Sequence, residues 1–302
     1  METVRRVRLP GTDATTSALG YGCSQLMARL DRAESVRLLE EAFDAGITHF
    51  DTARSYGYGE AESALGDFLQ GRRDQVTVAT KLGLEPPQRS RRLAFAKSAA
   101  RAVVAVAPPL RAVARRGAAT MVREGRFAVP EAQASLETSL RELRVDTIDL
   151  LLLHECSPDD LGDDLLEYLR GRVTEGAIRA FGIATRPGPT RAIVAERPEF
   201  AAVVQVENGL GSRVLDGLPN VVEAGAVTHS SLADLDAVAA REPGLERAEV
   251  AERMLAYASL ANPNGVVLFS SSRPEHIRRN AVLDPEALRE EVERLSAAVP
   301  AA

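Results

Sequence analysis

Four polar side chains in this sequence have the types and spacing that general acid catalysis requires: Asp51, Tyr56, Lys81 and His154. Asp51 ends a short apolar run, and Tyr56 follows five residues later in a loop rich in glycine and serine. A tyrosine hydroxyl has an ordinary pKa near ~10, so it is a poor acid at neutral pH unless a cation lies beside it. Lys81 is a candidate for that cation, and Asp51 is a candidate for the anion that holds it.

Lys81 and His154 come at the ends of the next two predicted strands, in the sequences VTVATKLG and IDLLLLHE. Singly, the four residues have ordinary interpretations as a turn-forming aspartate, a surface tyrosine, a solvated lysine and a hydrogen-bonded structural histidine. The carboxyl ends of the strands in a parallel barrel, however, all open on the same face. Four polar residues that follow three buried strands in order therefore favour a catalytic site.

The composition indicates a globular protein with a substantial core. The 302 residues suit one large domain or two small ones, and 45% of them are hydrophobic. A net charge of −6 argues against a general nucleic-acid-binding protein, because phosphate neutralisation needs a basic surface. The two cysteines, Cys23 and Cys156, imply no disulfide framework.

The N-terminal sequence METVRRVRLPGT lacks the pattern of a secretory signal. No uncharged apolar run approaches the ~20 residues that a membrane helix needs. We therefore expect a cytoplasmic protein with no nucleic-acid partner and no membrane partner, and we predict no metal site.

Short apolar runs alternate with helical patterns along almost the whole chain. Eight of these runs are predicted to be buried parallel strands: Ala18–Cys23, Thr48–Asp51, Val76–Thr80, Ile148–Leu153, Ala180–Ala184, Val203–Val206, Ala224–Thr228 and Val266–Ser270. Helical patterns lie between them, for example over Ala33–Ala45 and after Pro130. The alternation predicts a (β/α)8 TIM barrel, a single domain over residues 1–302, with an N-terminal β-hairpin formed by Val4–Leu9 and Thr15–Ala18. A doubly wound sheet is the alternative, but no G-x-G-x-x-G follows the first strand.

Two segments depart from this alternation. Residues 85–127 are rich in arginine and alanine, with ten basic residues and one acidic residue between Glu85 and Phe127. We predict an elaborated loop after the third barrel strand whose charges are solvated, and the alternative is an anion-binding or membrane-surface element. The stretch from Asn208 to Ala224 contains three glycines and a proline and is predicted to be mostly irregular.

The sequence resembles that of the aldo-keto reductases from the N-terminal hairpin to about Leu283. The D-T-A-x-x-Y-G signature of that family reads here as Asp51-Thr52-Ala53-Arg54-Ser55-Tyr56-Gly57, the family lysine falls on Lys81, and the family histidine falls on His154. Tyr58 is a nearby competitor for the acid role, but its spacing does not match the signature.

The resemblance implies a role for each of the four polar residues. Tyr56 would donate a proton to a substrate carbonyl while NADPH delivers hydride to the carbonyl carbon. Lys81 would lower the pKa of Tyr56, with Asp51 as its ion-pair partner, and His154 would polarise or orient the carbonyl. These roles agree with the electrostatics derived above.

The resemblance also implies contacts to the cofactor by Thr185, Gln205, His229, Ser271, Arg273, Arg279 and Asn280. Ala184-Thr185 stands where the family has Ser-Asn, and His229 falls near the position of a stacking aromatic residue. Ser270 replaces the usual lysine of the adenosine-phosphate segment. We expect NADPH to be the preferred cofactor and NADH to be less favoured.

The leading hypothesis is an NAD(P)H-dependent reductase of a small-molecule carbonyl substrate, an aldehyde or a ketone, with an imine as a further candidate substrate. A non-catalytic accessory module that binds the dinucleotide is one alternative, and the presence of all four polar residues argues against it. A sugar or polyol dehydrogenase that works in the oxidising direction is the other alternative, and it would use the same site. The barrel fold alone would justify none of them, because barrels carry out many chemistries.

Overall fold

The structure is a computed structural model that describes residues 4–28, 30–86 and 127–299 of the chain. The strands are β1 Arg6–Arg8, β2 Thr15–Ser17, β3 Leu19–Gly22, β4 His49–Asp51, β5 Thr77–Leu82, β6 Ile148–His154, β7 Ile178–Ala184, β8 Val204–Glu207, β9 Val227–His229 and β10 Val266–Phe269. The helices are α1 Arg32–Asp44, α2 Ala61–Leu69, α3 Val129–Leu143, α4 Asp163–Thr174, α5 Pro187–Glu196, α6 Pro219–Ala224, α7 Leu235–Ala239, α8 Arg247–Ala261, α9 Pro274–Ala281 and α10 Arg289–Ala298. Nearly all of the arginine-rich insertion predicted over about 85–127 lies outside the described residues.

Strands β3 to β10 form a closed, parallel eight-stranded barrel, in the order β10-β3-β4-β5-β6-β7-β8-β9. The prediction of a (β/α)8 barrel is therefore confirmed. The predicted N-terminal hairpin is also confirmed, because β1 pairs antiparallel with β2, with Arg6 opposite Ser17. Val7 and Leu9 of this hairpin segment are buried in the same cluster as Leu150 and Val266 of the barrel strands, so the hairpin covers the amino-terminal end of the barrel. No helix among the described residues is long and apolar enough to cross a membrane.

The strand predicted over Ala224–Thr228 begins later than expected. A short helix, α6, ends at Ala224, and β9 begins at Val227, so the first part of that prediction was wrong. Pro219 is pre-organised for the first turn of a helix, and this favours α6 in a stretch that glycines made look irregular. Gly225, with φ of +86°, ends the helix, and a Cβ atom there would lie 2.5 Å from the carbonyl oxygen of Asn264.

Alternation of side chains along the strands gives the barrel an apolar interior and a polar carboxyl end. Ala79 of β5 and Leu150 and Leu152 of β6 lie in the fully buried interior cluster. Two residues further along the same strands, the same alternation brings Lys81 and His154 to the open end of the barrel. The polar residues predicted at the strand ends therefore lie next to the apolar interior layer of the barrel.

His49 is a polar side chain within this interior. It is fully buried, and its Nδ1 atom lies 2.9 Å from Thr77 Oγ1, while its Nε2 atom has no hydrogen-bond partner among the described residues. Burial is the main cause that lowers the pKa of His49 to about 4. Asp51 and Asp149 partly oppose that decrease in pKa, and the charge of Lys81 adds to it. The ring is therefore neutral at pH 7.

We predict that His49 makes the protein less stable as the pH falls from its ordinary pKa of about 6.5 towards about 4. In this window the unfolded chain binds a proton that the folded protein excludes, so stability decreases by up to about 1.4 kcal/mol per pH unit. His49→Gln should remove this part of the pH dependence. Urea unfolding of both proteins at pH 6.5 and pH 5 measures the difference, since the contributions of the other titratable groups largely cancel. Equal pH dependence in the two proteins would contradict the prediction.

Candidate active site

A buried ion pair between Asp51 and Lys81 lies at the carboxyl ends of β4 and β5. Lys81 Nζ donates hydrogen bonds to Asp51 Oδ1 at 2.6 Å and to the carbonyl oxygen of Thr52 at 2.8 Å. The lysine side chain is 2% exposed and the aspartate side chain 4% exposed. Burial by itself lowers the pKa of Lys81, but Asp51 and Tyr56 together raise it above its ordinary value. The lysine therefore stays charged.

Gln205, on β8, completes the coordination of the aspartate. Its Nε2 atom donates to Asp51 Oδ2 at 2.9 Å, so both carboxylate oxygens of Asp51 accept a hydrogen bond from a side chain. An ionised carboxylate only accepts hydrogen bonds, and this fixes the orientation of the amide with its nitrogen towards Asp51. Gln205 Oε1 is then buried without a partner among the described residues. Such an atom is an acceptor available to a bound donor.

Tyr56 lies against both Lys81 and His154. Lys81 Nζ is 5.0 Å from the centre of the Tyr56 ring, and the rings of Tyr56 and His154 meet edge to face with their centres 6.1 Å apart. Burial is the main influence on the pKa of Tyr56 and raises it, the charge of Lys81 lowers it, and Asp51 raises it. The net direction is upward. Lys81 thus acts in the expected direction, but in the protein without ligands its effect is smaller than that of burial.

His154 and His229 both line this end of the barrel, and both are neutral at pH 7. Burial is the main cause that lowers the pKa of each, to about 3 for His154, and the positive charge of Lys81 lowers both further. His229 Nδ1 lies 2.8 Å from Ser230 Oγ, whereas the buried Nδ1 atom of His154 has no hydrogen-bond partner among the described residues. A neutral imidazole donates from one nitrogen only, so His154 can offer one N–H to a ligand.

The loop that carries Tyr56 has a constrained backbone. Gly57 and Tyr58 have φ values of 57° and 60°, in the left-handed region that favours glycine. A Cβ atom on Gly57 would lie 2.7 Å from both the carbonyl oxygen of Leu26 and the Cβ atom of Met27. The loop therefore packs tightly against the segment that follows β3. Tyr58, the competitor for the acid role, is 38% exposed and does not line the cavity described next.

A cavity of about 680 Å³ opens at this end of the barrel. All four residues predicted to be catalytic line it, and so do six of the seven residues predicted to bind the cofactor: Gln205, His229, Ser271, Arg273, Arg279 and Asn280. The cavity thus extends from the Asp51–Lys81 pair to helix α9. The structure brings together residues that are up to 229 positions apart in the chain, from Asp51 to Asn280.

The family of the chain follows from comparison with known sequences. The sequence model of the Aldo/keto reductase family matches residues 18–210, well over half of the chain. The chain belongs to the aldo/keto reductase family. The match includes the Asp51–Tyr56 signature, Lys81 and His154, and it ends before the segment that contains α9.

Two curated relatives have names that describe an oxidation. The chain is 36% identical over 179 residues to D-threo-aldose 1-dehydrogenase from a Pseudomonas species. The matched region covers 56% of this chain and 50% of that protein. It is 41% identical over 75 residues to pyridoxal 4-dehydrogenase from Microbacterium luteolum, which covers 24% of this chain and 22% of that protein. The chain spans about half the length, or less, of the curated relatives that it matches.

Solved aldo-keto reductase structures share the fold over almost the whole chain. The aldo-keto reductase AKR11C1 from Bacillus halodurans has a TM-score of 0.75 and 22% identity, covering 99% of this chain and 97% of that one. An aldo-keto reductase from Klebsiella pneumoniae in complex with NADPH has a TM-score of 0.67 and 22% identity, covering 100% and 97%. At this level of identity the likeness establishes the fold alone.

In this aldo/keto reductase, the end of the cavity far from the ion pair lies at the beginning of helix α9. Arg273 immediately precedes the helix, and its backbone N–H donates to Ser271 Oγ at 3.1 Å. The Arg273 guanidinium is exposed and forms no ion pair with the residues that the structure describes. Arg279, in contrast, donates to Glu252 at 2.8 Å. Of these two arginines, Arg273 is therefore the one available to an anion.

Two residues near the cavity use their hydroxyl groups within the protein. Thr185 does not line the cavity, and its Oγ1 atom lies 2.7 Å from Thr190 Oγ1, with both residues buried. Its predicted contact with a cofactor remains a prediction, and Ala184 lies on the cavity wall instead. Ser270, at the position where the family resemblance led us to expect a lysine, donates to the carbonyl oxygen of Gly22 at 2.7 Å.

Sequence reasoning missed the contribution of helix α8 to the cavity. Arg247, Ala248, Ala251 and Glu252 line it from one face of this helix. They do not follow a strand, so the strand-end rule could not find them. A spacing of four residues, between positions 247 and 251 and between 248 and 252, is the only sequence signal that they share a face, and every amphipathic helix has the same spacing.

We predict that Lys81→Met lowers the free energy of unfolding by about 3–5 kcal/mol, because it leaves the Asp51 carboxylate buried without its cation. The double variant Asp51→Asn/Lys81→Met should be more stable than Lys81→Met alone, since both charges are then absent. Urea unfolding at pH 7 measures all three proteins. A Lys81→Met protein as stable as wild type would show that the ion pair is not needed to keep the aspartate buried.

Proposed function

We propose that the chain is an NAD(P)H-dependent reductase that converts a small carbonyl compound into an alcohol, with Tyr56 as the general acid. One observation carries the proposal: Tyr56 and His154 line the same cavity as the buried Asp51–Lys81 ion pair, at the carboxyl end of the barrel. This is the end at which TIM-barrel enzymes have their active sites. Membership of the aldo/keto reductase family and the names of the curated relatives support an oxidoreductase.

The electrostatics of Tyr56 suit a residue that keeps its proton until a substrate is present. Burial raises the pKa of Tyr56, so the hydroxyl is fully protonated at neutral pH. When the proton moves to the carbonyl oxygen, the tyrosinate that remains is stabilised by the adjacent charge of Lys81. Asp51 holds that charge in position through the 2.6 Å hydrogen bond. The N–H of neutral His154 can donate to the same carbonyl oxygen and polarise it.

The cavity fits a nicotinamide dinucleotide. The buried Oε1 atom of Gln205 needs a donor, which a carboxamide N–H supplies, and the neutral ring of His229 can stack on a nicotinamide. At the other end, Arg273, Ser271 and the backbone N–H of Glu275, the first N–H of α9 after Pro274, suit phosphate oxygens. The cofactor, when bound, supplies the hydride. The Klebsiella pneumoniae relative in complex with NADPH supports NADPH as the preferred form.

The oxidising direction is a second candidate function, and the relative named D-threo-aldose 1-dehydrogenase favours it. The reaction would then proceed in reverse at the same four residues, and the tyrosinate of Tyr56 would accept a proton from a sugar hydroxyl group. Two coupled screens distinguish the directions: oxidation of NADPH by aldehydes and ketones, and reduction of NADP+ by aldoses and polyols. A protein that binds the cofactor but turns over in neither screen would be an accessory module, contrary to the proposal.

We predict that Tyr56→Phe lowers kcat by about 10²–10⁴, the usual contribution of a general acid. The affinity for cofactor, measured by fluorescence titration, should change little because the ring remains. Tyr58→Phe is the matched control: this residue lies two positions away, outside the cavity, and should keep wild-type kcat. Near wild-type turnover by Tyr56→Phe, or a large loss in Tyr58→Phe, would refute the assignment of the acid.

We predict that Arg273→Ala weakens the binding of NADPH by about 1.5–3 kcal/mol, the range for hydrogen bonds to charged groups, and leaves the binding of NADH nearly unchanged. Arg278→Ala is the control, since Arg278 lies on α9 outside the cavity and binds Glu41 at 2.8 Å. Titration of both cofactors into the three proteins gives the result. Equal losses for NADPH and NADH in Arg273→Ala would mean that Arg273 does not distinguish the 2′-phosphate.

A further inference from the structure

Glu62, in the first turn of α2, has a buried carboxylate that the chemistry proposed above does not use. Its side chain is 1% exposed, and each oxygen accepts a hydrogen bond from a different segment. Oε2 accepts from Arg54 Nη1 at 2.8 Å, and Oε1 accepts from Thr80 Oγ1 at 2.7 Å. Thr80 is fully buried, and the Arg54 side chain is 11% exposed. One carboxylate, shielded from bulk water, thus connects the segment of Arg54 with the segment of Thr80.

Both partners of Glu62 are near neighbours of the groups proposed to react. Arg54 lies two residues before Tyr56, in the loop of residues 52–60 between β4 and α2, which we call the tyrosine loop. Thr80 lies immediately before Lys81 on β5. Because successive side chains of a strand point to opposite faces, Thr80 faces away from the barrel interior when Lys81 faces into it. Glu62 therefore binds β5 from the helix side of the barrel wall.

The backbone hydrogen bonds between the tyrosine loop and β5 become longer with distance from β4. The backbone N–H of Thr52 donates to the carbonyl oxygen of Ala79 at 2.8 Å, but that of Arg54 donates to the carbonyl oxygen of Lys81 at only 3.5 Å. A backbone hydrogen bond of this length is weak. The side-chain contacts of Glu62 begin where the backbone contacts weaken.

We propose that Glu62 is a positioning residue for the reaction: by binding Arg54 and Thr80 at once, its carboxylate fixes the tyrosine loop so that Tyr56 stays beside Lys81. The inference rests on the proposed function, in which these two groups carry the proton transfer. Ion pairs and hydrogen bonds away from water are stronger than at the surface, so a buried tie of this kind restricts the loop more than an exposed pair would. The Arg54 guanidinium also lies 3.7 Å from Glu85, a second and longer contact.

Two variants remove the tie in different ways. Glu62→Gln removes the charge and keeps the shape, while Thr80→Val removes one hydrogen bond without changing any charge. Each should lower kcat by about 10- to 100-fold, the scale of a small misplacement of reacting groups, with the KM for cofactor within about twofold of wild type. The KM for cofactor should change little because these variants disturb the position of the tyrosine loop and leave the cofactor end of the cavity as it is.

Asp149→Asn is the matched control for a purely structural role. Asp149 is also a buried carboxylate, 2% exposed. Its Oδ2 atom accepts from Arg73 at 2.7 Å and from the backbone N–H of Val78, on the same strand β5, at 2.8 Å, and its Oδ1 atom lies 2.9 Å from Arg179 Nε. It lies at the other end of the barrel wall, near the beginning of β6. Asp149→Asn should lower stability towards urea and leave kcat unchanged. Equal losses of kcat in Glu62→Gln and Asp149→Asn would overturn the proposal.

The titration of Tyr56 supplies a readout that needs no turnover. In protein labelled with fluorotyrosine, the ¹⁹F signal of Tyr56 is identified by its absence from Tyr56→Phe and is followed with pH. The groups that shift the pKa of Tyr56 through their charge are Lys81, Asp51 and Cys23, and the neutral ring of His154 also packs against it. Separation of Tyr56 from Lys81 would raise the pKa of Tyr56, because the charge of Lys81 lowers it. Loss of the negative charge of Glu62, with no movement, would instead lower that pKa.

The expected result is an upward movement of the Tyr56 titration in both Glu62→Gln and Thr80→Val. A downward movement in Glu62→Gln with no change in Thr80→Val would mean that Glu62 acts only through its charge, and would overturn the positioning role. If wild type turned over no carbonyl compound while the titration still moved upward, the proposed function would fail and the positioning of Tyr56 by Glu62 would stand. If Tyr56→Phe lost activity but neither Glu62 variant changed kcat or the titration, the positioning role alone would fail.

Discussion

The site depends on a lysine ammonium and an aspartate carboxylate that are held together out of water. Moving two charges into a protein interior costs several kcal/mol for each ion, and their attraction offsets this cost only when the geometry is close and the remaining hydrogen bonds are made. The barrel meets both conditions, because the closed sheet fixes β4 next to β5 and brings Lys81 Nζ to 2.6 Å from Asp51. The carbonyl oxygen of Thr52 and the amide of Gln205 satisfy the second condition. An open sheet edge with a mobile strand would satisfy neither.

One buried cation then acts on the protonation of the groups around it. The charge of Lys81 lowers the pKa of Tyr56, of His154 and of His229, in each case as the largest influence after burial. For the histidines the two influences have the same sign, so both imidazoles are neutral. For the tyrosine they oppose each other. Burial disfavours the charged form of either group, so it raises the pKa of a tyrosine, whose charged form is the phenolate, and lowers the pKa of a histidine, whose charged form is the imidazolium. The charge of Lys81 lowers the pKa of both kinds of group. The same lysine in the same cavity can therefore keep two bases uncharged and stabilise the anion of an acid.

The sequence allowed the barrel, the hairpin and the place of Asp51, Lys81 and His154 at strand ends to be predicted, because alternation and strand order decide which side chains reach the carboxyl end. Lys81 and His154 are examples: each continues a strand whose apolar residues could be read directly. Glu252 could not be predicted, since its place on the cavity wall depends on how α8 packs. The internal hydrogen bond of Thr185 with Thr190 was equally hidden, because residue types do not reveal which of several nearby partners a hydroxyl will take. The late beginning of β9 reflects the competing preference of Pro219 for a helix start.

The raised pKa of Tyr56 follows from the same burial that the proposed chemistry needs. A hydroxyl whose pKa were lowered below neutrality would already have lost its proton to water, and would then be a base instead of an acid. Burial prevents this loss in the protein without substrate, and in the proposed reaction Lys81 would contribute most when charge develops on the phenolic oxygen. In that proposed reaction the attraction between that oxygen and the ammonium group would grow as the proton leaves, so it would stabilise the transition state more than the ground state. A lysine held 2.6 Å from Asp51 and 5.0 Å from the centre of the Tyr56 ring would supply that difference from a charge that is already in place.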